Sequence, residues 1–405
     1  MRRCRAFVLC AAWLAVPAGA AAQLPEGPYV AAEGRLTLAG ELSATISRTD
    51  EGAYFNYTDY EHDALRTVRV RVLGEWRTSP QIALLGELRV ENEDSIEAAA
   101  LYVRWRPWPG RELDVQVGRI PPVLGAFARH AYGRENLVMG APLAYQYLTS
   151  LRPDAIPASA DDLLRMRARG WRPSFPIGSQ EASAGLPLVT ASRWDTGAEA
   201  HWRAGRVSLA GAITRGAPAA PAPFDGRTGP SWSGRVAVAA APGLTLGVSG
   251  ARGRWLDPGV LAGRPEASGR DADQSLVGAD LEFGLGRWLM RAEWLRSAFE
   301  MPVLNAPAID SPLTAASGFV EARYRWHPRW QTAVRVERLA FSTIKGTVEG
   351  GASTPWDAPV RRIEAAIGFR AARNLELRAG WQHDWRDAGR VRERGYPAVQ
   401  ALYWY

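Results

Sequence analysis

Lysine is almost missing from this chain. Lys345 is the only one among 49 basic residues, so 48 are arginine. Cysteine is absent after Cys10, because Cys4 and Cys10 both fall in the first ten residues. Any thiolate zinc site or disulfide framework beyond that point is excluded. The five histidines, His62, His130, His201, His327 and His383, are far apart in sequence, which disfavours a metal centre. There is no Gly-x-Ser-x-Gly and no His-Glu-x-x-His. No enzyme, metal or other cofactor is expected. Beyond residue 23 no apolar run reaches 18 residues, which excludes a helical membrane protein. Charged residues at 22% and 17 tryptophans exclude a disordered chain. The arginines are spread singly rather than massed in one patch, so nucleic acid is not an expected partner.

What is present begins with an export signal. Arg2, Arg3 and Arg5 precede an apolar stretch from Ala6 to Val16, and Ala20-Ala21-Ala22 forms a small-residue cleavage site before Gln23. An uncleaved anchor is the alternative, disfavoured because the stretch is short and broken by Pro17 and Gly19. Cys10 follows Val8-Leu9 rather than a small residue, so a lipoprotein site is not expected. Removing 1–22 lowers the formal charge from +7 to about +4 and leaves 23–405 as a single unit without cysteine.

That unit alternates with period two. In 35–47, Leu36, Leu38, Leu42, Ala44 and Ile46 point one way, and Arg35, Thr37, Glu41, Ser43 and Thr45 the other. Val68, Val70, Val72 and Trp76 likewise oppose Arg69, Arg71, Glu75 and Arg77. Sixteen such strands are predicted near 35–47, 66–77, 81–91, 97–106, 112–119, 194–203, 207–215, 231–240, 244–253, 275–283, 287–297, 316–326, 330–339, 360–370, 375–385 and 396–405. About ten residues, tilted, suffice to cross a hydrocarbon layer of about 25 Å.

A soluble sandwich or propeller also alternates, so the connections matter. Seven are short turns, such as 78–80, 107–111 and 241–243. The connections between them are mostly longer, with 92–96 the one short exception and 120–193 by far the longest. Short and long connections alternate along the chain, as tight periplasmic turns and outer loops do in an outer-membrane barrel. Trp76, Trp105, Trp202, Trp288, Trp326 and Trp330 sit on the apolar face near short turns, as a headgroup girdle requires. Trp232, Trp294 and Trp381 lie nearer the long-loop ends.

The last strand closes on Tyr403-Trp404-Tyr405. This terminus is similar to the signal that outer-membrane barrels present to the assembly machinery, with Tyr405 in place of the usual Phe. Together with the signal peptide, sixteen strands and sorted loops, the chain resembles a bacterial general porin over nearly all of 23–405. The resemblance implies an all-β transmembrane antiparallel barrel in the bacterial outer membrane. It implies partners too: outer-membrane lipid and lipopolysaccharide around the wall, the barrel assembly machinery at Tyr403 and Tyr405, and homotrimeric assembly as an option.

The polar face of such a barrel is the lumen. Sixteen arginines and fourteen acids are placed there, many alternating in sign two residues apart, as in Glu87/Arg89/Glu91 and Arg335/Glu337. Ion pairing along the wall is one role for them. The other is a pore field: Arg69, Arg71, Arg89 and Arg104 cluster on three neighbouring strands, with Glu87 among them, and Arg323 and Arg335 face inward elsewhere. General porins similarly set acids of the third loop against an arginine wall. Here that loop is 120–193, and it carries Asp154, Asp161 and Asp162. Ser159 is placed to cap a short helix over 160–168, with Asp161 and Asp162 in its first turn and Arg165 following. Three functions stay open: a passive channel for small hydrophilic solutes with a weak anion preference, a channel specific for an anion or sugar, and a non-conducting scaffold or adhesin barrel.

Overall fold

A computed structural model describes residues 27–55, 65–92, 96–108, 110–130, 133–190, 194–222, 229–262, 272–302, 309, 311–347 and 350–405. The signal peptide expected over 1–22 and His62 lie outside them. Sixteen long strands form one closed antiparallel sheet. They are β1 (Leu36–Ser47), β2 (Val68–Arg77), β3 (Ile82–Glu91), β4 (Glu97–Trp105), β5 (Glu112–Ile120), β6 (Asp195–Ala204), β7 (Val207–Arg215) and β8 (Pro230–Ala241). The second half comprises β9 (Leu244–Arg254), β10 (Asp273–Leu285), β11 (Trp288–Phe299), β12 (Leu313–His327), β13 (Trp330–Phe341), β14 (Val360–Ala372), β15 (Leu375–Asp387) and β16 (Val391–Trp404). Each strand pairs with its neighbour in sequence. The sheet closes through β1 on β16, in register from Glu41 opposite Trp404 to Ser47 opposite Ala398. Closure leaves no open edge, the condition for a sheet to cross lipid.

The faces follow the period-two pattern. Val70, Leu84 and Val103 are exposed on the outside, and Trp76 is 57% exposed near its short turn. Trp232, Trp294 and Trp381 are exposed towards the other end. An aqueous fold would not leave so many large apolar side chains uncovered. The inside carries the charges.

The last strand starts at Val391, five residues before its expected start, so the connection before it spans only 388–390. Its extension carries Arg392, Glu393 and Arg394, and the ladder continues there with Arg386 opposite Arg392. Hydropathy stops marking a strand where the apolar band ends, but backbone pairing does not. Pro397 sits one residue beyond the end of the β1 pairing, where a residue without an N–H is tolerated.

The segment after β5 folds into the barrel. It holds α1 (Leu143–Gln146), α2 (Ala160–Arg165) and a two-residue ladder of Ala155–Ile156 with Ile177–Gly178. Its apolar side chains, among them Leu143, Tyr147, Leu163 and Leu188, form one cluster with Leu276, Leu295, Phe319 and Leu339 of the wall. That cluster occupies the β10–β14 side of the interior.

Candidate functional site

The lumen wall is a lattice of ion pairs within strands and between strands one or two apart. Arg71 donates from Nε and Nη2 to both oxygens of Glu87, each at 2.9 Å, and Arg89 reaches the same carboxylate at 2.9 Å. Arg69 meets Glu91 at 2.6 Å, and Arg104 meets Glu75 at 2.7 Å. Arg235 forks onto Asp280 at 2.6 and 3.0 Å, and Arg291 meets Glu282 at 2.8 Å. Bidentate geometry of this kind is what arginine provides and lysine does not. Arg323 donates to Gln331 Oε1. Arg69, Arg71 and Arg104 each keep 17% of their side-chain surface in solvent. Arg89 and Glu87 are buried.

Arg335 departs from the pore-lining expectation. It is fully buried, with Glu337 at 3.0 Å, Glu321 at 3.4 Å and Glu364 also in contact. The cause is the infolded segment, whose Gly140 carbonyl accepts from Arg335 Nη2 at 2.6 Å. Sequence alternation shows that Arg335 points inward but carries no sign of what covers it.

The wall charges on this side hold irregular backbone. Glu293 accepts from the N–H groups of Ala126 and Phe127 at 2.8 and 3.2 Å and from the Tyr145 hydroxyl. Glu337 accepts from Leu143 N–H at 2.6 Å. Arg378 donates to the carbonyls of Gly133 and Asn136, and Arg362 to Gln146 and Ala141. Two glycines permit the close approach. A Cβ on Gly125 (φ +57°) would lie 2.3 Å from a Glu293 oxygen, and one on Gly133 (φ +72°) would lie 1.9 Å from a Glu41 oxygen. The stretch 126–146 thus touches β11, β1, β15, β13 and β14. Non-helical backbone at membrane depth needs partners of this kind.

The expected acids of the segment have other contacts. Asp154 is held by Arg152 at 2.7 and 2.9 Å. Ser159 caps α2 by accepting from Asp162 N–H, and Asp162 pairs with Arg165 at 2.8 Å. Asp161 accepts from the N–H and hydroxyl of Thr347, in the connection between β13 and β14. These contacts put Asp161 and Asp162 at the loop layer rather than opposite the arginines of β2 and β4. A capped helix fixes the two carboxylates, as expected, but tertiary packing turns them to another loop.

Of the segment's acids, Glu135 is the one that meets a lumen-wall arginine among the described residues; it is 51% exposed and hydrogen-bonded to His130 Nδ1, itself 29% exposed. The Glu135 carbonyl accepts from Arg291 at 3.1 Å, and its carboxylate lies 4.0 Å from the same guanidinium. Spacing in the sequence does not single out this pair. Deeper in the loop layer, the buried Asp357 carboxylate accepts from Tyr147 Oη, Ser150 N–H and Oγ, and Ala168 N–H, at 2.7–3.1 Å. Burial pushes its pKa up against these donors.

The interior is therefore lopsided. Glu293, Arg335, Glu337, Arg362, Glu364 and Asp384 are buried under the segment, while Arg69, Arg71, Arg104 and Arg235 keep solvent contact. No family model and no curated protein sequence matches the chain. Solved structures do. The outer membrane channel DcaP of Acinetobacter baumannii aligns over 94% of this chain and 100% of its own, with a TM-score of 0.55 at 9% identity. Salmonella typhi OmpF, solved with daunomycin, aligns over 91% and 97%, with a TM-score of 0.52 at 10% identity. An anion-selective porin from Comamonas acidovorans aligns over 91% and 99%, with a TM-score of 0.52 at 10% identity. The chain has the porin fold. This barrel carries its longest connection inward after the fifth strand.

Proposed function

We propose that this chain is an outer-membrane channel through which small hydrophilic solutes diffuse, with a weak preference for anions. The lopsided lumen carries the reading. The infolded segment buries the wall charges of β11 and β13–β15, while Arg69, Arg71 and Arg104 on β2 and β4 stay partly solvated and the Glu135–His130 pair lies beside Arg291. Charges in a confined low-dielectric passage act strongly on permeating ions. Of the neighbours named above, DcaP is described as a channel and the Comamonas acidovorans protein as a porin, which supports transport rather than catalysis. Export through cleavage after Ala22, residence in the outer membrane with lipopolysaccharide, and assembly as a homotrimer belong to the same proposal. A trimeric form is named for one structural neighbour, OmpT of Vibrio cholerae, with a TM-score of 0.51 at 8% identity.

A closed scaffold barrel is the second reading, favoured by the apolar cluster that fills the β10–β14 side. Single-channel recording in planar bilayers decides between the two. Steady ohmic steps with a reversal potential displaced towards the anion value support the channel. A silent bilayer from correctly folded barrels, conducting only after deletion of 126–146, supports the scaffold.

A further inference from the structure

Among the described residues, the apolar pattern of the lipid-facing surface is broken by two arginines set directly across from each other. Successive cross-strand partners on the outside run Ala279, Trp294, Gly318, Arg338, Arg361, Trp385 across β10 to β15. Arg338 and Arg361 are thus directly opposite each other, with the same charge. Like charges in that relation destabilise a strand pair. Arg296 lies one outward-facing position beyond Trp294 towards the outer loops, on the far side of Gly318. All three arginines are exposed. Among the described residues, none of the three has an ion-pair or hydrogen-bond partner for its guanidinium. Arg252, also on the outside, differs in meeting Asp273 at 3.0 Å.

Beside this group the outer surface is dented. Ala279, Trp294, Gly318, Val320, Val336 and Arg338 are among the residues lining an open, mostly apolar groove there. A lipid-facing guanidinium carries a small cost near the interface, which grows towards the midplane. A phosphate held by two arginines would relieve both that cost and the repulsion between them. The groove is suited to an acyl chain leading away from such a phosphate.

We propose that Arg296, Arg338 and Arg361 form a site for a phosphorylated, acylated lipid of the outer leaflet, the lipid A end of lipopolysaccharide, with one acyl chain in the groove over Gly318. The proposal rests on the outer-membrane reading above, with the long loops outward. It is independent of whether the lumen conducts.

The test uses the full mature chain refolded in detergent, with folding verified by heat-modifiable gel mobility. Native mass spectrometry then follows retention of bisphosphorylated lipid A, phosphatidylglycerol and phosphatidylcholine. Wild-type barrels should retain lipid A in preference to both phospholipids. Each arginine changed to Gln should weaken retention about fivefold, and Arg296→Gln, Arg338→Gln and Arg361→Gln together about a hundredfold. Gly318→Leu should weaken it without altering charge, and Arg252→Gln should leave it unchanged. Undiminished retention by the triple variant, or equal retention of phosphatidylglycerol, would overturn the proposal. A barrel that conducts yet does not retain lipid A overturns this site and leaves the channel reading intact.

Discussion

Arg335 and Gly140 are 195 positions apart in sequence and joined by a 2.6 Å hydrogen bond from guanidinium to carbonyl. The contact links the charged wall of β13 to the segment that folds inward. Arg335 also compensates Glu321, Glu337 and Glu364, all buried. Arg335→Ala should therefore cost about 3–5 kcal/mol, the range for breaking a buried ion pair from one side. Its unfolding midpoint in detergent should fall well below that of an exposed control, Arg77→Ala. Equal midpoints would show that the cluster is not what holds the segment.

Asp357 gives a dependence on pH. Its carboxyl is raised by burial, so the folded state holds this proton more tightly than the unfolded chain. The stabilisation it contributes is complete below the ordinary value of 3.8 and is lost as pH rises through the higher folded value. Wild-type barrels should gain stability as pH falls from 7 towards that range. Asp357→Asn should lack this increment. The comparison of interest is the difference in midpoint between the two proteins at each pH, since other carboxyls titrate in both.

The faces of β2 give a sharper contrast. Val70 and Arg71 are neighbours in sequence, but Val70 is exposed outside and Arg71 forks onto Glu87 inside. Arginine at a lipid-facing midplane position costs about 2–4 kcal/mol. Val70→Arg should sharply reduce the heat-modifiable fraction on refolding. Arg71→Gln should reduce it far less, because Arg89 still meets Glu87. Similar yields from both variants would contradict the assigned faces.

Ion selectivity should follow Glu135 rather than Asp161 and Asp162. Removing one negative charge from the lumen with Glu135→Gln should shift the reversal potential further towards anions. Arg71→Gln combined with Arg104→Gln should shift it towards cations. Asp161→Asn with Asp162→Asn should leave it nearly unchanged, because those carboxylates are held in the loop layer by Thr347 and Arg165. A larger shift from the aspartates than from Glu135 would return them to the constriction.

Cross-strand order and facing were legible in the sequence because they are local. A strand between lipid and water needs an apolar residue at every second position, so 36–47 and 68–77 announce both their length and their outward side. The cap at Ser159 was legible for the same reason, since donor and acceptor lie three residues apart. The sequence by itself thus determined sixteen strands, the lipid-facing residues and the one loop long enough to enter the barrel. Only the tertiary structure decided that Arg335 is covered, that Asp161 serves Thr347, and that Glu135 stands in the lumen. Each of those outcomes depends on where an irregular segment meets a strand or loop more than 150 residues away in sequence. Such a segment has no periodicity to read, and its path is set by which buried charges and carbonyls can satisfy one another once the barrel has closed.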